Sequence, residues 1–160
     1  MLAKTHFAMS QDETRFTLNG VLIQIEPAAN EGERSMIRMV ATDTHRLAMV
    51  ERPVGEKMAE AMDVILPKKA VAEVRKLLDE DDQAVEIAVG ENHIQFLKPD
   101  ITLVSKLVDG RFPNYQRVIP QKNDHTLTID KETILGAVKR MSVLSNEKSK
   151  GIRLELATDG

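Results

Sequence analysis

Two prolines seven residues apart, Pro113 and Pro120, constrain this 160-residue chain more than any other feature. Each fixes its own φ, lacks a backbone donor and drives the residue before it out of the helical region. The segment 106–120, KLVDGRFPNYQRVIP, is therefore a poor helix and a poor central strand. It reads as the end of a strand, a turn at Asp109-Gly110, and a stiff extended connector that carries Phe112, Tyr115 and Val118. The chain divides accordingly into a first unit over 1–115, a linker over 116–124 and a shorter unit over 125–160. The connector is either a plain linker with locally packed aromatics or, in addition, one wall of a binding groove.

The first unit alternates short strands with a helix. Leu2, His6 and Met9 recur at helical spacing, as at the end of a short helix, and the abrupt start inside that pattern suggests further chain before Met1. Residues 16–26 have apolar side chains in both phases, as in a strand buried on both faces. Strands follow at 36–41 and 45–51, tightly joined by Thr42-Asp43-Thr44, and a short buried strand at 64–66. Pro67 suits the entry of a helix over 68–78, whose apolar stripe is Val71, Val74, Leu77 and Leu78. After an acidic loop at 79–82 come strands at 84–89, 93–97 and 101–107, with turns at 90–92 and 98–100. The order of elements echoes itself twice without a sequence repeat. In the second unit, 125–129 reads as a strand and Asp130 can cap a helix from Lys131 to about Ser142 with Ile134, Val138 and Met141 inward. A polar loop over 142–151 precedes a strand starting at Ile152. This unit looks unfinished. The fold class is α+β, with antiparallel sheets backed by helices.

Composition narrows the function. The chain is 42% hydrophobic but only 3% aromatic, so its core is aliphatic. There is no cysteine, hence no disulfide, thiolate nucleophile or cysteine zinc site. No apolar run reaches membrane-spanning length, and 1–6 lacks a signal-peptide core, which fits a soluble cytoplasmic protein. A net charge of −3 argues against bulk electrostatic attachment to nucleic acid, though not against a local basic strip. A candidate is the predicted helix: Lys68 and Arg75 share one face and Lys69 and Lys76 the next, interrupted by Glu73, with Lys68 and Lys69 at the helix start, where cations oppose the macrodipole; this is either such a strip or an ordinary solvated helix face. Lys139, Arg140, Lys148 and Lys150 form a second basic cluster. The four histidines are scattered, and Asp43 with His45 lacks a third ligand, so turn chemistry accounts for them better than a metal or acid–base pair. No phosphate loop or nucleophile motif occurs.

Three stretches carry a resemblance. SKLVDGRFPNY at 105–115, ATDTHRLA at 41–48, and LSNEK at 144–148 with GIRL at 151–154 closely resemble, in the same order, motifs of the bacterial DNA polymerase III β subunit, the sliding-clamp family. The resemblance implies the middle domain, its first helix truncated, and the start of the last domain, in a DNA-clamp fold with helices on the inner face of the ring. It implies a non-catalytic processivity factor, without cofactor or metal, whose ring encircles duplex DNA regardless of sequence. The implied partners are DNA polymerase III α and other polymerases, a clamp loader, and a second copy of the full-length protein. Partner peptides would enter a hydrophobic groove whose matching positions here are Leu18, Thr42, Thr44, His45, Arg46, Leu47, Pro113, Arg117 and Val118. Thr44 departs from the glycine of some relatives and would narrow that pocket. Lys68, Lys69 and Arg75 would face DNA, and Phe16 falls where some members place a tyrosine near it. Two rivals from other classes are a small hydrolase using Asp43, His45 and Arg46, and a free-standing peptide-binding module.

Overall fold

The computed structural model describes residues 1–160 except 31, 56, 57, 59, 80–82, 124, 125, 146–150 and 156–160. The chain forms two compact units, Met1–Val118 and Ile119–Gly160.

In the first unit, β1 (Gly20–Glu26), β2 (Met36–Thr42), β3 (Leu47–Pro53) and β4 (Met62–Pro67) form an antiparallel sheet in the order β3-β2-β1-β4. Helix α1 (Lys68–Asp79) follows directly on Pro67, and β5 (Glu86–Val89), β6 (His93–Leu97) and β7 (Thr102–Lys106) make a second antiparallel sheet. The two sheets meet where the Val108 N–H donates to the Ile65 carbonyl at 2.9 Å.

Register fixes what each face of the larger sheet carries. Leu22 lies opposite Val40 and Ile65, and Thr42 opposite Leu47, so these side chains share one face with Gln24 and Arg38. Val21, Ile23, Ile25, Ile37, Met39, Ala41, Ala48 and Leu66 point the other way. There they pack with Val71, Val74 and Leu77 of α1 and with Ile94 and Phe96 of β6 in one core. Each Val, Leu, Ile, Met or Phe among them contributes about 1.5–3 kcal/mol by leaving water, and Ala41 and Ala48 less. Lys98, itself buried, extends its Nζ to the Leu77 carbonyl at 3.1 Å, placing a cation at the carbonyl end of α1. Leu22 and Val40, on the opposite face, are buried as well. That two-sided burial is the reason β1 is apolar in both phases.

Several expectations are corrected. The first strand begins at Gly20, not at residue 16, because the Leu18 and Asn19 N–H groups turn back to the Arg15 carbonyl at 2.8 and 2.9 Å. Gly20 then passes so close to β4 that a Cβ there would stand 2.5 Å from the Leu66 carbonyl oxygen. Residues 2–9 form two 3-10 turns, Leu2–Lys4 and His6–Ala8, in place of an α-helix end. The connector is not extended throughout: Tyr115–Val118 closes a 3-10 turn, since no proline follows to restrain it until Pro120.

In the second unit, α2 (Lys131–Leu144) is capped by Asp130, whose carboxylate accepts from the Thr133 N–H at 2.9 Å and the Thr133 hydroxyl at 2.8 Å. Those bonds hold the Asp130 carboxyl below its ordinary range. None of the side chains of α2 is buried, so the inward packing expected of Ile134, Val138 and Met141 is not met; Met141 is 51% exposed. The expected strands at 126–129 and 152–155 are absent too, for want of a strand to pair with among the described residues of this unit. His125, Lys148, Lys150 and Leu156 lie outside the described residues.

Candidate functional site

The connector is pinned to the face of the larger sheet that carries Gln24 and Arg38 by one buried aromatic. The hydroxyl of Tyr115 donates to Gln24 Oε1 at 2.5 Å and accepts from Arg38 Nη1 at 3.3 Å, and Gln24 Nε2 donates to Asp63 Oδ1 at 3.0 Å. Arg38 is also paired with Glu26, at 2.6 Å, and with Glu51. Burial works against the charge on Arg38, but Glu51, Glu26 and Tyr115 outweigh it and raise the guanidinium pKa. Phe112 rests edge-on against Tyr115, ring centroids 6.5 Å apart. Pro113 and Val118, on either side of Tyr115, are thereby set beside the β2–β3 turn.

That turn is tightly determined. The Thr42 hydroxyl donates to the Arg46 carbonyl at 2.7 Å and accepts the Thr44 N–H at 3.1 Å. The Asp43 carboxylate accepts the N–H groups of His45 and Arg46, both at 3.0 Å, and Arg46 Nε at 3.1 Å. Partial burial of Asp43 opposes its charge, yet these bonds from Arg46 and His45 prevail and hold its carboxyl below the ordinary range. Thr44 has φ +79°, the left-handed region that β-branched residues rarely enter. Its hydroxyl accepts from Arg15 Nη1 at 3.3 Å, and the Arg46 guanidinium lies 5.8 Å over the Phe7 ring.

Between turn and connector is a cavity of about 330 Å³ lined by Leu18, Thr42, Thr44, His45, Arg46, Leu47, Pro113, Asn114, Tyr115 and Val118. Its size suits one or two side chains and stands at the small end for a ligand site. Leu18 is buried and Leu47 half-buried, while Val118 is 68% exposed at the rim. Of the positions named from sequence, all but Arg117 line it. Arg117 is exposed in the 3-10 turn, where Tyr115 and Val118 fall on one side at three-residue spacing and Arg117 is turned away. Asn114 and Tyr115 join the lining, although the sequence placed them only within the connector. Arg15 was missed altogether, because its approach to Thr44 depends on the 10–19 loop folding back, with the Ser10 N–H on the Leu18 carbonyl and Asn19 Nδ2 on the Ser10 carbonyl. The Asp43–His45 pair is a turn: Asp43 meets the backbone of His45, not its ring.

The basic residues of α1 lie beyond the other face of the sheet. Lys68 and Arg75 line a separate cavity of about 300 Å³ with His6, Phe7, Met9 and Gln11. Lys68 Nζ donates to Gln11 Oε1 at 2.5 Å. Arg75 Nη1 donates to His6 Nε2 at 2.9 Å, which leaves His6 Nδ1 to donate to the Leu2 carbonyl at 3.1 Å. Lys69 is exposed on the neighbouring face of α1, and Phe16, 60% exposed, lies beside Gly110 at the sheet end from which α1 departs. Among the described residues no cluster of three or more His, Asp or Glu could hold a metal ion, and no helix is long and apolar enough to cross a membrane.

Comparison with known proteins gives this arrangement a context. Residues 1–114 match the family model of the DNA polymerase III beta subunit, central domain, and residues 116–160 that of its C-terminal domain. The beta sliding clamp of Pseudomonas putida is 38% identical over 157 residues, 98% of this chain and 41% of the relative. That of Caulobacter vibrioides is 40% identical over 154 residues, 96% of this chain and 41% of the relative. A Pseudomonas aeruginosa sliding clamp solved bound to griselimycin superposes with a TM-score of 0.88 at 39% identity, covering 98% of this chain and 41% of that one. A Bacillus subtilis clamp gives 0.82 at 29% identity, over 92% and 37% respectively. The chain thus spans about two fifths of the length of these curated relatives. On these matches, which run from residue 1 to residue 160 with antiparallel sheets and helices in common, the chain belongs to the DNA polymerase III beta subunit family.

Proposed function

We propose that this chain is the middle domain and the beginning of the last domain of a ring-shaped sliding clamp. In the whole protein, two copies close around duplex DNA and act as a processivity factor, holding the replicative polymerase on its template. The hold is mechanical: a closed ring cannot leave sideways, so it needs neither base contacts nor tight phosphate binding. The clamp catalyses nothing and needs no cofactor; a loader opens the ring, and the work is done in the cytoplasm. Lys68, Lys69 and Arg75, with Phe16, face DNA, while polymerase III α and other polymerases dock by a short hydrophobic peptide in the groove of Leu18, Leu47, Pro113 and Val118. Arg46 and His45 supply its polar rim, while Arg117, turned away, is left out of it.

The observation that carries this reading is the placement of two surfaces on one sheet. The apolar cavity lies on the face of the larger sheet turned away from α1, and the cationic side of α1 lies beyond the opposite face. A partner can therefore be held without competing with DNA. The relative solved with griselimycin adds that a clamp of this family holds a ligand. The test is a titration of a peptide containing Gln, Leu and Phe into the ¹⁵N-labelled chain. Shifts gathered on Leu18, Thr42, Leu47 and Val118, and lost in Leu47→Asp, are expected. Affinity should rise in a longer chain containing the complete last domain. Shifts gathered elsewhere, or hydrolysis abolished by His45→Ala, would overturn the assignment.

A further inference from the structure

We infer that β5 is a docking edge for a second copy of this chain, which adds its own β5 antiparallel about a symmetry axis at Ile87. The inference goes beyond the groove reading and does not depend on it.

Among the described residues β5 has a neighbour on one side only, in the sheet order β5-β6-β7. The other sheet edges are guarded. β3 ends in Glu51-Arg52-Pro53, while β7 carries Lys106 and leads into Val108, whose N–H donates to the Ile65 carbonyl of β4. Residues 84–89, AVEIAV, hold a single charge and neither proline nor glycine, the composition of a segment that pairs readily with its own kind.

The hairpin register says which backbone groups this edge offers. The Gly90 N–H donates to the His93 carbonyl at 2.8 Å, and Val89 lies opposite Ile94 and Ala88 opposite Gln95. Bonded and non-bonded pairs alternate along an antiparallel ladder, so Glu86 and Ala88 bond toward β6, and Val85, Ile87 and Val89 turn their N–H and C=O groups away from it. The same three residues carry their side chains on the core side of the sheet. Val85 and Val89 pack against the core, and Ile87, opposite buried Phe96, is 38% exposed. With Ile25, Ile37 and Met58 they line a cavity of about 840 Å³ at the mouth of the core.

The order Val85-Glu86-Ile87-Ala88-Val89 places branched apolar side chains symmetrically about its centre. Two copies paired antiparallel at that centre set Ile87 against its counterpart and each Val85 against a Val89. The free backbone groups of these residues then find partners, and the branched side chains of both copies meet over the open cavity. On the other side of the strand Glu86 comes opposite Ala88, so like charges do not lie directly across; the two Glu86 carboxylates are diagonal neighbours. This self-complementarity selects a copy of the chain over an unrelated strand.

Sedimentation velocity from micromolar to millimolar concentration, joined to amide hydrogen exchange, tests the inference. A monomer–dimer equilibrium is expected, with exchange at the Ile87 and Val89 amides slowing as the dimer forms. Ile87→Lys, its fold checked by a ¹H–¹⁵N spectrum, should weaken the dimer by roughly tenfold or more, since an ammonium group enters the contact from each copy. Glu86→Gln, which removes the diagonal repulsion, should tighten it by a factor of roughly two. A monomer at every concentration overturns the inference. Protection of Ile87 and Val89 that is independent of concentration overturns it as well, because the edge is then covered within one chain. So does a dimer that survives Ile87→Lys and is lost in Val143→Asp, which moves the contact to the exposed side chains of α2. The exchange pattern of the wild type decides the matter if Ile87→Lys does not fold.

Discussion

Tyr115→Phe isolates the hydroxyl that fastens the connector to the sheet. The ring remains to fill its buried site against Phe112. What disappears is the 2.5 Å bond to Gln24 and the weaker 3.3 Å bond from Arg38. A net intramolecular hydrogen bond contributes about 0.5–1.5 kcal/mol, more where a charged partner takes part. Arg38 keeps Glu26 and Glu51, and half-buried Gln24 can turn to water, so no polar group is stranded at full penalty. The expected loss is about 1–2 kcal/mol, or roughly 4–8 °C in Tm for the unit Met1–Val118. Tyr115→Ala forfeits the ring as well and should cost about 3–5 kcal/mol. Tyr115 is the only tyrosine and the chain has no tryptophan, so unfolding in urea is best followed by far-UV circular dichroism. A double-mutant cycle with Gln24→Leu should return a coupling of at least about 0.5 kcal/mol. Zero coupling, with Tyr115→Phe as stable as wild type, would refute the idea that this hydroxyl holds the groove wall.

Three other perturbations test different links. Gly20→Ala puts a Cβ 2.5 Å from the Leu66 carbonyl oxygen, a backbone atom that cannot step aside, and should destabilise by about 1–3 kcal/mol in urea unfolding. Lys98→Met keeps the aliphatic stem but removes the ammonium from the carbonyl end of α1; a loss of about 1–2 kcal/mol, with faster amide exchange in the last turn of α1, is the expected result. For Asp43, the unfolded chain takes up a proton near the ordinary value of 3.8 and the folded turn only at lower pH. The folded state therefore binds fewer protons as pH falls through and below that value, and stability present at neutral pH is lost there. Asp43→Asn should flatten this part of the acid-unfolding profile, and an unchanged profile would remove Asp43 from the account.

Much of the fold was legible because its signals are local. The stripe of Val71, Val74 and Leu77 marked α1, and its start after Pro67 is where a missing N–H does no harm. Gly90-Glu91-Asn92 and Lys98-Pro99-Asp100 separated β5, β6 and β7 to within a residue or two. Asp130 was recognisable as a cap because its side chain needs only the N–H three residues on. The groove positions came from motif wording, not from periodicity: Leu18 and Leu47 are 29 residues apart and look, each alone, like ordinary core side chains. Periodicity failed at residues 16–19, where apolar and polar residues alternate but the Arg15 carbonyl captures two N–H groups and makes a turn. It failed again at Ile134, Val138 and Met141, whose spacing promises a buried face, whereas no side chain of α2 is buried among the described residues.

The amino-acid sequence by itself determined the order of strands and helix from β1 to β7, the capped helix α2 and the family, since these follow from backbone restrictions and side-chain patterns read over a few residues. Only the tertiary structure decided that Tyr115 crosses to Gln24 and Arg38, that Arg15 reaches Thr44, that Arg117 turns out of the groove, and that Thr44 is held at positive φ. Each depends on contacts or hydrogen bonds whose geometry is fixed only when distant strands, a returning loop and the connector pack together, and no local propensity encodes that coincidence.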